Sequence, residues 1–174
     1  MSRFSECLIH ILANEGGFSD DPVDHGGRTN HGITQAEYNI WREEHNFPDA
    51  DVKLIPSNEV QAFYQEKFWI PSNAGHCPAP LDLLLFDCSV NSGIGVGVRT
   101  LQRAVGADPD GVFGQRTLSL VNSVDLDVAC KNFLDQRCDF YNAIVARHPD
   151  QSRFIKGWLN RVAKLQKICQ ETKD

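Results

Sequence analysis

The sequence predicts a mainly α fold in which a small polar loop or β-hairpin lobe lies next to a helical body. Three observations carry this. Apolar residues recur at helical spacing through most of the chain. Residues 18–33 break that period and are rich in Gly, Asp and Asn. The run from Leu81 to Val90 is apolar on nearly every side and too long for an ordinary strand, so it reads as a buried central helix.

In chain order, Phe4, Leu8, Ile11 and Leu12 give one apolar helical face, and Gly16-Gly17 supply a stop, so a first helix is expected over residues 3–15 with Glu15 at its end. The polar stretch that follows suggests a short hairpin turning at Asp24-His25-Gly26-Gly27. Thr34-Gln35-Ala36-Glu37 is a capping box and opens a second helix. Ser57 opens a third, running through Trp69 with Val60, Phe63, Tyr64 and Phe68 on one face. A Pro- and Gly-containing connector leads into the central helix, which ends at Asn91-Ser92-Gly93. Short helices are expected around Val98–Val105 and over Gln115 to Val121, separated by the turn Asp108-Pro109-Asp110-Gly111. Two long helices, about 125–147 and 150–171, finish the chain, the last with Phe154, Trp158, Val162, Leu165 and Cys169 on one face.

At 174 residues the chain suits one compact unit. Its net charge of -6 gives no basic field for nucleic acid, so no nucleic-acid partner is expected. The acidity is concentrated in residues 1–70, and the remainder is close to neutral. Six widely spaced cysteines without a C-x-x-C pair disfavour a zinc site, and those on apolar faces read as reduced, buried small hydrophobes. The apolar run Cys7 to Leu12 is too short for a membrane span and lacks a cleavage site, so no signal peptide is expected.

Glu15 stands out chemically. At a helix C-terminus a carboxylate faces unpaired carbonyls and the negative end of the helix dipole, which disfavours ionisation and suits a general acid. The competing reading is a solvated residue ahead of a glycine stop. Asp20, Asp21 and Asp24 follow in a polar turn where they stay ionised, and two carboxyl groups in unlike environments are what glycoside hydrolysis requires. A calcium loop is the alternative use of those aspartates, but their spacing fails the EF-hand pattern.

The segment Glu15-Gly16-Gly17-Phe18-Ser19-Asp20-Asp21-Pro22-Val23-Asp24-His25-Gly26-Gly27-Arg28-Thr29-Asn30-His31-Gly32-Ile33-Thr34 resembles the signature of glycoside hydrolase family 108, the lysozyme-like N-acetylmuramidases found among phage endolysins. Phe86-Asp87-Cys88-Ser89-Val90-Asn91-Ser92-Gly93 resembles that family's second motif. Leu101 to Gly106, with Asp110 to Gly114 and Thr117, is similar to its closing peptidoglycan-binding region, and Phe154 to Val162 to its final helix. The resemblance implies a lysozyme-like fold with a catalytic region at 1–95 and a helical peptidoglycan-binding-like region at 96–174, packed as one globular unit. It also implies cleavage of the β-1,4 bond between N-acetylmuramic acid and N-acetylglucosamine, with no cofactor and no metal.

On the same resemblance Glu15 is the catalytic acid. Asp24 and Thr29 follow in the aspartate and threonine order of phage lysozymes of related fold, with Thr29 one residue nearer Asp24 than in those enzymes. Asp20 and Asp21 remain alternatives to Asp24. Asn91 is a candidate donor to a sugar hydroxyl or N-acetyl group or, equally, a helix C-cap. Asp87 is a candidate for substrate binding or a buried support. Tyr38, Trp41 and Trp69 are candidate sugar-stacking aromatics or core. Arg147, Arg153, Lys156, Arg161, Lys164, Lys167 and Lys173 give the C-terminus a basic character suited to an anionic envelope surface, or simply a solvated face. Peptidoglycan glycan strands are the expected partner and a monomer the expected state. The enzyme would be made in the host cytoplasm and reach the periplasmic wall through holin-mediated release. A lytic transglycosylase and a non-catalytic peptidoglycan-binding module are the competing functions.

Overall fold

The computed structural model describes residues 1–20 and 27–171. They form two compact units, Met1–Lys67 and Phe68–Asp174. In the first unit, α1 (Arg3–Leu12) is capped by the Ser2 hydroxyl, which accepts from the Ser5 N–H, and buries Phe4, Cys7, Leu8 and Ile11. A two-stranded antiparallel hairpin, β1 (Thr29–Asn30) and β2 (Ile33–Thr34), leads directly into α2 (Gln35–Glu44). The Thr34–Glu37 capping box predicted from sequence is formed in full, both reciprocal bonds being present. After a short 3-10 turn at Val52–Leu54, α3 (Ser57–Tyr64) begins. It continues into a π turn over Gln65–Trp69 rather than as the uniform helix expected through Trp69.

The second unit is all helix. Leu81–Ser92 forms α4, whose residues Leu81 to Ser89 are all buried, Asp82, Asp87 and Ser89 among them. Around it pack α5 (Ile94–Val105) and α7 (Leu126–Arg147), with α8 (Ser152–Glu171) against α7. The short α6 (Gln115–Ser123) packs on α5. Buried Gln102 organises the loop between them. Its amide donates to the Asp110 carboxylate (2.7 Å), the Val112 carbonyl and the Thr117 hydroxyl, while its oxygen accepts from the Gly111 N–H. Thus Asp110-Gly111 makes the turn the sequence predicts, held from below by a single side chain.

One local expectation is corrected. The first helix ends at Leu12, not Glu15, and neither Gly16 nor Gly17 takes a positive φ. The stop comes earlier because Asn14 turns its side-chain N–H back onto the His10 carbonyl, while the Asn14 and Glu15 N–H groups tighten onto Ile11 and Leu12. The described hairpin turns at His31-Gly32. The expected turn at 24–27 falls mostly on residues outside the described set.

All six cysteines are free, and all but Cys138 are buried. Among the described residues no helix is long and apolar enough to cross a membrane.

Candidate active site

Glu15, three residues past the end of α1, is half-buried, and the chain beyond it, Gly16 to Asp20, is exposed. Ser19 then pairs with Thr29 through reciprocal backbone hydrogen bonds of 2.8 and 3.0 Å, so Thr29 is bonded to Ser19 on one side and registered against Thr34 on the other. The turn joining β1 to β2 has positive φ at both central residues, His31 (51°) and Gly32 (74°), the geometry of a type I′ hairpin. Buried Asn30 fixes this hairpin to the body of the unit, its amide donating to the Val52 and Lys53 carbonyls, both at 3.1 Å.

The turn meets the glutamate. A Cβ at Gly32 would stand 2.9 Å from Glu15 Oε2 and 2.8 Å from the Tyr64 hydroxyl oxygen. The buried Tyr64 hydroxyl donates in turn to the His31 carbonyl at 2.8 Å. The Glu15 carboxyl and the Tyr64 hydroxyl therefore both lie against the bare Cα of the hairpin turn, on the side a Cβ would occupy. Gly32 is needed twice over here, for its backbone conformation and for the room it leaves. One flank of the carboxyl thus meets protein, and Glu15 keeps partial exposure to solvent. That is a suitable setting for a group that must hand a proton to an incoming oxygen.

Sequence reasoning singled out Glu15 but missed Gly32, Tyr64 and Asn30. Gly32 and Asn30 lie in the segment quoted as a motif, yet their partners, Tyr64 and the Val52–Leu54 turn, are remote in sequence. Thr29 lies in the same hairpin, with its hydroxyl donated to the Gly27 carbonyl at 3.1 Å. Asp24 and Asp21 lie outside the described residues. Asp20 is exposed and 3.7 Å from Arg28 Nε, while Arg28 also holds Asp51 at 2.7 Å. This arginine, with the Lys53 N–H, keeps the Asp51 carboxyl below the usual carboxylate value.

Other predicted residues are placed differently. Tyr38 is 1 % exposed and donates its hydroxyl to Glu59, which also accepts from Arg42 at 2.6 Å. Burial and the neighbouring Glu59 push the Tyr38 phenol up. It is a core residue and has no face to offer a sugar. Trp41, with its N–H on Glu66, and Trp69, edge-on to Phe86, are likewise core.

Asp87, expected as a candidate for substrate binding or as a buried support, takes the second role: it is 1 % exposed and accepts from Arg137 Nη1 (2.6 Å) and Arg161 Nε (2.9 Å). It is a buried counter-ion, closed to substrate. Arg161 is accordingly drawn inward and leaves the predicted basic face, and Lys173 lies outside the described residues. Asn91 is exposed at the end of α4, and its Oδ1 accepts from the Tyr141 hydroxyl at 2.5 Å. Among the described residues no group of three or more His, Cys, Asp or Glu side chains converges to hold a metal ion.

Comparison with known proteins matches the family model for glycosyl hydrolase 108 over residues 8–93 and that for a predicted peptidoglycan domain over residues 96–163. The solved structure of SagA from Brucella abortus is similar over 97 % of this chain and 94 % of that one, at 32 % identity and a TM-score of 0.80. The chain belongs to the glycosyl hydrolase 108 family. None of the curated proteins matches. As a glycosyl hydrolase 108 protein carrying a peptidoglycan domain, it is a glycoside hydrolase acting on peptidoglycan, with a lysozyme-like, mainly α fold. The glycosyl hydrolase 108 match runs through the whole of α4, whereas the compact units divide at Lys67 and Phe68. The second half of the match is therefore built into the helices of the peptidoglycan domain.

Proposed function

We propose that this protein is an N-acetylmuramidase that cleaves the β-1,4 bond between N-acetylmuramic acid and N-acetylglucosamine, with Glu15 as the general acid. The observation that carries the reading is the seat of the Glu15 carboxyl against Gly32, in a hairpin turn secured by Tyr64. A proton donor must be held within hydrogen-bond reach of the glycosidic oxygen while its own freedom is restricted. A half-buried carboxyl seated against the Gly32 turn meets both needs.

Glu15 protonates the bridging oxygen as the bond to the anomeric carbon breaks. A water activated by a carboxylate of the 20–24 segment, Asp24 first among them, attacks that carbon, with Thr29 as its second partner. The products are a new reducing end on muramic acid and a free hydroxyl on glucosamine. The setting is that of a phage endolysin, made in the host cytoplasm and reaching the periplasmic wall through a holin, with the monomer as the working form.

The test is product chemistry. Sacculi digested by the protein, reduced with borohydride and resolved by mass spectrometry should carry reduced muramic acid termini. Reduced glucosamine termini would assign the wrong bond, and anhydro-muramic termini would replace hydrolysis with transglycosylation.

A further inference from the structure

The second unit holds a polar chain that ends at the surface. Arg137 Nη1 donates to Asp87 and Arg137 Nη2 to the Tyr141 hydroxyl (2.7 Å), and Tyr141 donates to Asn91 Oδ1. A guanidinium has no acceptor, so the single proton of the Tyr141 hydroxyl is committed to Asn91. This fixes the amide's orientation: Oδ1 points inward and Nδ2, with no hydrogen bond among the described residues, is the part that exposed Asn91 has left to offer.

On the ring of the same tyrosine lies Trp158 of α8, stacked at 5.1 Å and 22°. Phe154, one helical turn earlier, follows at 5.9 Å and 31°. Trp158 is half-buried, and Phe154 is 42 % exposed with the Arg153 guanidinium 4.6 Å from its ring centre. An ordered aromatic surface and a pre-oriented amide donor, linked through Tyr141, suit a pyranose that carries an acetamido group. The C–H face of the sugar covers the ring, and the carbonyl or a hydroxyl accepts from the amide.

We propose that Asn91, Trp158 and Phe154 form a glycan-binding site for the sugar strand of peptidoglycan, separate in role from the bond-breaking step at Glu15. Asp87, Arg137 and Tyr141 act as positioning residues for Asn91. The proposal rests on the reading of peptidoglycan as the substrate. The predicted peptidoglycan domain, residues 96–163, includes Arg137, Tyr141, Phe154 and Trp158. The match of this region to a peptidoglycan domain, and a donor that is a neutral amide rather than a cation, favour the glycan over the membrane as the occupant.

The experiment is cosedimentation with purified sacculi in the cold, using the full chain with Glu15→Gln, while released reducing ends are followed separately. Continued release would count against the acid assignment, and binding is read independently of it. Asn91→Asp keeps the acceptor for Tyr141 but replaces the outward donor with an acceptor, and Phe154→Ala removes an exposed ring. Each should weaken binding about five- to tenfold with unchanged thermal stability, the scale of one aromatic or polar contact. Peptide-free glycan strands should compete. Undiminished binding by both Asn91→Asp and Phe154→Ala would overturn the proposal. So would failure of glycan strands to compete while vesicles of phosphatidylglycerol and phosphatidylethanolamine do.

Discussion

Replacing Gly32 by alanine isolates the contact on which the active-site reading depends. At φ of 74° a Cβ costs about 1–2 kcal/mol in backbone strain. That corresponds to a fall in Tm of about 2–8 °C for a chain of this size. The new methyl group would also stand 2.9 Å from Glu15 Oε2 and 2.8 Å from the Tyr64 oxygen, so the carboxyl, the hydroxyl or the turn must move. A displacement near 1 Å of a reacting group costs on the order of 100-fold in rate. Gly106 provides the matched control, with φ of 76° and nothing within 4 Å of its Cβ position. Gly106→Ala should lose the same few degrees yet clear sacculi at close to the wild-type rate. The assay is turbidity loss of purified sacculi beside a thermal melt for each variant. Equal activity in Gly32→Ala and Gly106→Ala would refute the placement of Glu15 against the turn as the basis of catalysis.

Two further outcomes concern stability. Asp87→Ala would leave the Arg137 and Arg161 guanidinium groups, 1 % and 11 % exposed, without their carboxylate. That should cost about 3–5 kcal/mol, seen as a drop of roughly 6–20 °C in a thermal melt, and a melt within a degree or two of wild type would deny the ion cluster a structural role. The Val112 N–H and the Gln102 amide hold the Asp110 carboxyl below its ordinary value of 3.8. Its stabilisation is therefore complete above that value and is lost as the pH falls below it. In melts taken between about pH 5 and pH 2, Asp110→Asn should be less stable than wild type at the upper end and converge on it at the lower; parallel curves would contradict this.

What could be read from the sequence were features whose causes are local. The central helix was legible because Leu81 to Val90 is strongly apolar and too long for a strand, α2 because its capping box is written in four consecutive residues, and the last helix because its apolar residues keep a 3.6-residue period. Glu15 was legible through the motif that it opens, although the helix expected to end at it stops at Leu12. The features that escaped are relations across distance. Tyr64 reads as one more apolar residue of a helix face, and nothing in its neighbourhood announces a bond to the His31 carbonyl 33 residues earlier. Asp87 sits in a motif and so invites a functional role, but its partners lie 50 and 74 residues further on. Tyr38 has the chemistry of a sugar-binding aromatic, and only the packing of α2 reveals that both ring and hydroxyl are spent in the core. The end of α1 was misplaced because a Gly-Gly pair suggests a left-handed stop, while Asn14 had already closed the helix with its own side chain.

The central claim is that the Glu15 carboxyl delivers the proton that breaks the glycosidic bond. Its most direct test is turbidity loss of purified Gram-negative sacculi with wild type and Glu15→Gln side by side, the variant first shown to melt like the parent. The glutamine occupies the same space against Gly32 but has no acidic proton. Lysis should fall by about 100-fold or more, the scale of a general acid's contribution. A folded Glu15→Gln protein that clears sacculi at the wild-type rate would contradict the account.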